Sequence, residues 1–134
     1  MKILLDEQIH KKIQLALILD FQVFRLKNLG WLGYQNGVLR EKLNENEFTF
    51  FITSDKNLSF QQNFSKINFT IILLDTPTNA LGHQSLFIDK IREILSNPPL
   101  ILPKLIHVSI EGFHNRKLIE NLKNLLPPDQ ILFI

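Results

Sequence analysis

Apolar residues gather along this chain in short runs, and most runs are followed by a stretch whose apolar positions recur at helical spacing. Residues 2–5 form a run bounded by charge, the pattern of a buried strand, and over residues 9–19 Ile9, Ile13, Ala16 and Leu17 fall on one helical face. Residues 21–26 repeat the strand pattern. The segment "NLGWLGYQNG" then gathers turn formers around a tryptophan and a tyrosine, and a helix is expected over 38–44. Strands are expected over 49–53 and 69–74, with a short helix over 58–62 between them and an amphipathic helix over 84–95 after them. Beyond "NPPLILPK" come a strand over 105–110, a helix over 116–125 and the apolar ending "PPDQILFI".

Strands that alternate with helices predict an α/β fold: a single-domain α/β/α sandwich around a central, mostly parallel sheet. Parallel neighbours need crossover connections, and those crossovers are expected to be right-handed. With 134 residues, 45% of them hydrophobic, the chain suits one domain with a sizeable core. Residues 1–96 read as the α/β core. Residues 97–134 read as a strand-helix-strand extension packed on the same domain, because the pieces between the proline pairs are too small to form a core alone. The final "QILFI" suggests either a sheet-edge strand or a surface for a second copy or a partner protein.

The chain has no cysteine, which excludes a disulfide framework, a thiolate zinc site and a cysteine nucleophile. Its start, "MKILLDEQIHKK", has too short an apolar run for a secretory core or a membrane span, so a soluble, cytoplasmic protein with no membrane partner is expected. A net charge of +2 and a pI near 9.0 would tolerate a polyanionic partner without demanding one. No phosphate-cradling glycine loop or nucleophile elbow occurs. The four histidines, His10, His83, His107 and His114, show no metal-ligand spacing, and none reads as a catalytic base.

In open parallel sheets ligands bind outside the carboxyl ends of the strands, near the point where strand order reverses. Asp6 follows the first expected strand and Asp55 the third, so if both strands are central the two carboxylates emerge on one edge. Such a pair repels unless something positive lies between, and a hard divalent cation with oxygen ligands is the usual solution. Asp75 follows the fourth strand at a comparable end and reads equally as a turn residue. For Asp55, and for its neighbour Ser54, helix capping before "KNLSFQQ" is the competing explanation.

The segments "MKILLDEQI", "LGWLGYQNGVL" and "FFITSDKNLSFQQNF" followed by "INFTIILL" resemble the PIN-like proteins, in particular a small bacterial subgroup of unknown function related to VapC-type toxins. The resemblance covers roughly residues 1–95. It implies a nuclease site in which acids hold Mg²⁺ or Mn²⁺, activate a water and stabilise charge at the scissile phosphodiester. Carried over, Asp6 is the first metal ligand and Asp55 the second. Asn57 stands where many PIN domains have a further acid and can offer a carbonyl oxygen. Relatives tend to carry an acid directly after the "NG" pair, where this chain has Val38; Glu41, about one turn on, is the candidate substitute, with Asn36 a neutral one. The implied catalytic set is Asp6, Asp55 and Glu41, the metal set Asp6, Asp55 and Asn57, and the substrate contacts Asn36, Lys56, Gln61 and Gln62.

Other residues read as accessory. Glu7 should point away from Asp6 if the strand continues. Trp31 and Tyr34 either stack on unpaired bases or plug the sheet edge, and "SFQQNF" is either a nucleic-acid contact or a polar helix face. The expected function is thus a PIN-like metal-dependent ribonuclease, as a toxin with a protein antitoxin or in a defence pair. The alternative is a catalytically degenerate PIN-like module binding RNA or a protein partner, a reading supported by Val38 and Asn57. A phospho-accepting receiver domain, with Asp55 as acceptor and Lys104 as its late lysine, is a third and more distant reading.

Overall fold

The computed structural model describes residues 1–57, 61–113 and 115–134, with backbone alone at 61–63. Strands β1 (Lys2–Leu5), β2 (Gln22–Arg25), β3 (Phe50–Thr53), β4 (Thr70–Leu74), β5 (Leu105–Val108) and β6 (Ile131–Phe133) form one six-stranded sheet. Its order is β2-β1-β3-β4-β5-β6, and every neighbouring pair is parallel. Helices α1 (Lys11–Leu17), α2 (Leu26–Leu29), α3 (Asn36–Glu45), α4 (Leu81–Gln84), α5 (Ile88–Ser96) and α6 (Arg116–Leu125) connect the strands. The α/β class expected from the alternation of patterns is the class observed.

Both faces of the sheet are covered, which is why its central strands are apolar throughout rather than alternating. Leu4, Phe51, Ile71, Leu73 and Leu105 point to one face and pack with Leu39 and Leu43 of α3 and Leu118 and Leu122 of α6. Ile3, Leu5, Phe50, Ile52, Ile72 and Ile106 point to the other and pack with Ile13 and Leu17 of α1 and Ile91 and Ile94 of α5. Residues 97–134 supply β5, α6 and β6 to this same sheet and its cores, and "ILF" is an edge strand paired to β5 on one side.

One expectation of handedness fails. The β1–β2 connection through α1 and the β4–β5 connection through α5 run over the same face, yet they step across the sheet in opposite directions. The two crossovers therefore have opposite hands, and only one can be right-handed. The physical reason is coverage: α1 alone would leave Phe50, Ile52, Ile72 and Ile106 open to water, and α5 closes that face beside it. Arg92 of α5 ties the two helices, donating to Asp20 Oδ2 (2.7 Å) and to the carbonyl of Ala16.

Several boundaries move. Helix α1 starts at Lys11, where the His10 ring nitrogen accepts from the Lys12 N–H, while Ile9 stays buried in the preceding turn. Helix α3 begins at Asn36, before Val38, and the short α2 was not expected. Helix α2 stops at Gly30, whose φ of 72° is open to glycine and strained for other residues. The helix expected over 84–95 is divided into α4, a tight turn over Ser85–Phe87, and α5. Of the helix expected over 58–62, residues 58–60 lie outside the described residues, and a tight helical turn spans Gln61–Lys66. Among the described residues no helix is long and apolar enough to cross a membrane.

Candidate functional site

The chain leaves β1 for β2 on one side and returns to β3 on the other, so strand order reverses between β1 and β3. A crevice opens at the carboxyl ends of strands at such a point. Here it is a cleft of about 240 Å³ whose walls include Asp6, Asp55, Asn36, Trp31 and Tyr34.

Asp6 is half-buried directly after β1, where its N–H donates to the Ile52 carbonyl of β3 (2.9 Å) and continues the ladder by one residue. Its carboxylate accepts from the Thr53 hydroxyl (2.7 Å) and from the Glu7 N–H (2.9 Å). Thr53 in turn accepts from the N–H of Asp55 (3.0 Å), so one hydroxyl joins the first acid to the turn that carries the second. Asp55 accepts from the N–H of Asn57 (3.0 Å). That bond, two residues on, is an Asx turn, so Asp55 organises its own loop while standing at the cleft.

Burial pushes the Asp6 carboxyl above its ordinary value, and the charges of Glu7 and Asp55 push the same way, against the Thr53 hydroxyl and the Glu7 amide. The influence of Asp55 on Asp6 is the electrostatic sign that the two acids share one space. The described residues that line the cleft include no lysine, arginine or histidine.

The remaining candidates divide. Asn36 lines the cleft from the start of α3, and Glu7 also lines it, contrary to the expectation from strand alternation, because β1 ends at Leu5 and the chain turns. Glu41 is exposed on α3, two residues from each of the inward Leu39 and Leu43 and so on the opposite face, outside the cleft. Asn57 is exposed and not among the cleft's lining residues. Lys56 is not among the cleft's lining residues; it lines a neighbouring depression that Asp55 also borders, and its Nζ is 3.4 Å from Asp75 Oδ1. The side chains of Gln61 and Gln62, and His114, lie outside the described residues. Lys104 precedes β5 at the far edge of the sheet and donates to the Ile67 carbonyl, so it does not meet Asp55 as a receiver domain would require.

Trp31 is anchored edge-on against buried Phe48 (centroids 5.7 Å apart), and Tyr34 stacks on Trp31 at 6.5 Å and 27° while remaining exposed. A flat aromatic surface thus flanks the acids.

The sequence reading missed three supports. Thr53 had a signal: it lies two residues after Phe51 on the face that Asp6 shares. Gln84 had none; fully buried, it donates to the Gln8 carbonyl (2.6 Å) and accepts from the His10 N–H (2.7 Å), pinning the loop behind Asp6. The third is a buried pair, Asp75 and His107, joined at 2.9 Å.

Three carboxylates, Asp6, Glu7 and Asp55, line the cleft with the Asn36 amide and the Thr53 hydroxyl, all hard-oxygen groups. Among the described residues no three histidines or acids converge to hold an ion alone. That set does not suit zinc or a fully protein-caged Ca²⁺, but it fits Mg²⁺, which keeps most of its waters and takes one or two carboxylates. No family model, no curated protein and no solved structure matches the chain.

Proposed function

We propose that the chain is a PIN-like, metal-dependent ribonuclease whose site is the cleft at the ends of β1 and β3. The observation that carries the reading is the pair of acids, Asp6 and Asp55, coupled through Thr53 at the point where strand order reverses, in a cleft that among the described residues is lined by no basic side chain. Asp6 and Asp55 would hold Mg²⁺ or Mn²⁺. The bound ion would supply Lewis acidity at the phosphate and a more acidic water. Thr53 fixes the Asp6 carboxylate, Asn36 offers a polar contact across the cleft, and the exposed ring of Tyr34 offers a stacking face to an unpaired base. RNA as substrate, a cytoplasmic setting and a toxin's role beside an antitoxin rest on the motif resemblance.

One observation favours a second reading, a non-catalytic module of the same fold that binds RNA or a protein. Glu41 faces solvent and Val38 is exposed beside the cleft, so α3 brings no acid to the pair.

The test is calorimetric titration of Mn²⁺ into the wild type and into Asp6→Ala, Asp55→Ala and Glu41→Ala, followed by incubation with labelled single-stranded RNA. Binding lost in the first two variants, kept in the third, and accompanied by Asp6-dependent cleavage supports the nuclease. Trp31, the only tryptophan, reports cleft occupancy by fluorescence. RNA that quenches Trp31 without being cleaved would support the module instead.

A further inference from the structure

Asn36 is the only asparagine in the chain that a glycine follows. The pair opens α3 at the wall of the cleft: Asn36 is exposed, is the first residue of the helix, and lines the cleft together with Asp6, Glu7 and Asp55. The amide nitrogen of a following residue can attack an asparagine side chain, and it is hindered by a side chain on that residue or by a rigid backbone. Both hindrances are slight here. Gly37 has no Cβ, and its N–H lies in the first turn, where no intrahelical acceptor exists. Gln35, at the N-cap, makes no side-chain capping bond, so the turn is held mainly by the Leu39 N–H donating to the Gln35 carbonyl (2.9 Å). Asn44 and Asn46 are placed differently: each Nδ2 donates to a carbonyl, of Lys66 and of Lys42 (2.8 Å each), and a glutamate follows each asparagine.

We propose that Asn36 is a site of spontaneous deamidation, and that the reaction turns an amide of the cleft into a further carboxylate that tightens its hold on a divalent cation. The Gly37 nitrogen bonds to Asn36 Cγ as the Cγ–Nδ2 bond breaks, and ammonia leaves with the proton from the Gly37 N–H. Water then opens the cyclic imide. Attack at Cγ gives an aspartate, attack at the main-chain carbonyl carbon gives its isoaspartyl isomer, and either product has a free carboxylate. Water is the only co-reactant. A negative charge in the first turn of α3 suits the positive end of that helix. Beside Asp6, Glu7 and Asp55 it also adds repulsion that a hard cation relieves, and an oxygen to bind it. The inference rests on the metal-site reading above for this consequence, but not for the conversion itself.

The experiment has two readouts. The first needs no metal: the full chain is aged in mildly alkaline ¹⁸O-water and its peptides are mapped by mass spectrometry. Asn36 should convert, with uptake of ¹⁸O, about tenfold or more faster than Asn44 and Asn46. Gly37→Ala should slow the conversion at least about tenfold, and it keeps the fold, because a Cβ added at this helical position meets no heavy atom within 4 Å. Conversion of Asn36 no faster than that of Asn44 and Asn46, or undiminished in Gly37→Ala, would overturn the proposal. The second readout is Mn²⁺ calorimetry. Asn36→Asp should bind about tenfold more tightly than fresh wild type, and aged wild type should move toward it while aged Gly37→Ala does not. Binding by Asn36→Asp no tighter than by fresh wild type would overturn the consequence for the cleft. No Mn²⁺ binding by either protein would sink the metal reading, while the peptide map still decides whether Asn36 converts.

Discussion

Thr53→Val removes one oxygen from the point where both acids are tied. Thr53 is 3% exposed, so water does not readily replace its hydroxyl. The change deletes a bond to an ionised acceptor, Asp6 Oδ2 at 2.7 Å, and leaves the Asp55 N–H without its acceptor at 3.0 Å. A hydrogen bond to a charged group contributes about 1.5 to 3 kcal/mol and a neutral one about 0.5 to 1.5. Half-exposed Asp6 recovers part of its loss from water, and the added methyl contributes about 0.8 kcal/mol of apolar burial. The net expected cost is about 2 kcal/mol at neutral pH. The pH dependence has a definite sign. The Thr53 hydroxyl lowers the Asp6 pKa, so its loss raises that already raised value further. The cost is therefore full while Asp6 is ionised and shrinks as pH falls through its folded pKa, leaving the part that belongs to the Asp55 amide. Urea unfolding of Thr53→Val, with Thr53→Ser as the variant that keeps the hydroxyl, measures this near neutrality and at about pH 4. A neutral-pH cost under about 0.5 kcal/mol, or one that grows as the pH falls, would refute the bridge.

The other expectations bear on the same cleft. Burial is the largest cause of the raised Asp6 pKa, so folded Asp6 holds its proton more tightly than the unfolded chain does. Ionised Asp6 then opposes folding at neutral pH, and this opposition fades as pH falls through the raised value toward 3.8. Asp6→Asn should accordingly be at least as stable as wild type at neutral pH with divalent cations chelated, and the gap should close in acid; a variant weaker by more than about 1 kcal/mol in urea would contradict the assignment. Leu43→Ala should cost about 2 to 5 kcal/mol by chemical denaturation, because Leu43 is fully buried and anchors the helix that brings Asn36 to the cleft. A cost below about 1 kcal/mol would mean that α3 is not seated as described.

The fold was legible because both faces of the sheet are dry, so each strand had to appear as an unbroken apolar run such as "IILL". Asp6 and Asp55 were legible as candidates for the same reason: Asp6 is the polar residue at which the first run gives out, and Asp55 is the acid in the polar stretch Thr53-Ser54-Asp55 that ends the third. The local chain could not reveal what depends on turns and partners. Glu7 was sent away from the cleft by extrapolating strand alternation past Leu5, where the strand stops. Glu41 was offered by its position about one turn beyond Val38, yet the inward positions Leu39 and Leu43 set the rotation of α3 and leave Glu41 in solvent. Gln84 reads like any polar residue at a helix start, and only the chain some seventy positions earlier makes it a buried tie.

The register of the sheet explains why the acidic edge holds two chemically separate halves. Parallel pairing sets Leu5 against Ile52, Thr53 against Leu73, and Leu73 against His107, so Asp6 and Thr53 fall on one level with His107, on one face. Between them stands Leu73, fully buried and apolar. Asp75, two residues beyond Leu73 on the same face, reaches His107 on the next strand and Lys56 from the preceding turn, and its charge is answered inside the protein. Asp6 and Asp55, on the other side of Leu73, have hydrogen-bond donors, and among the described residues no basic side chain lines their cleft.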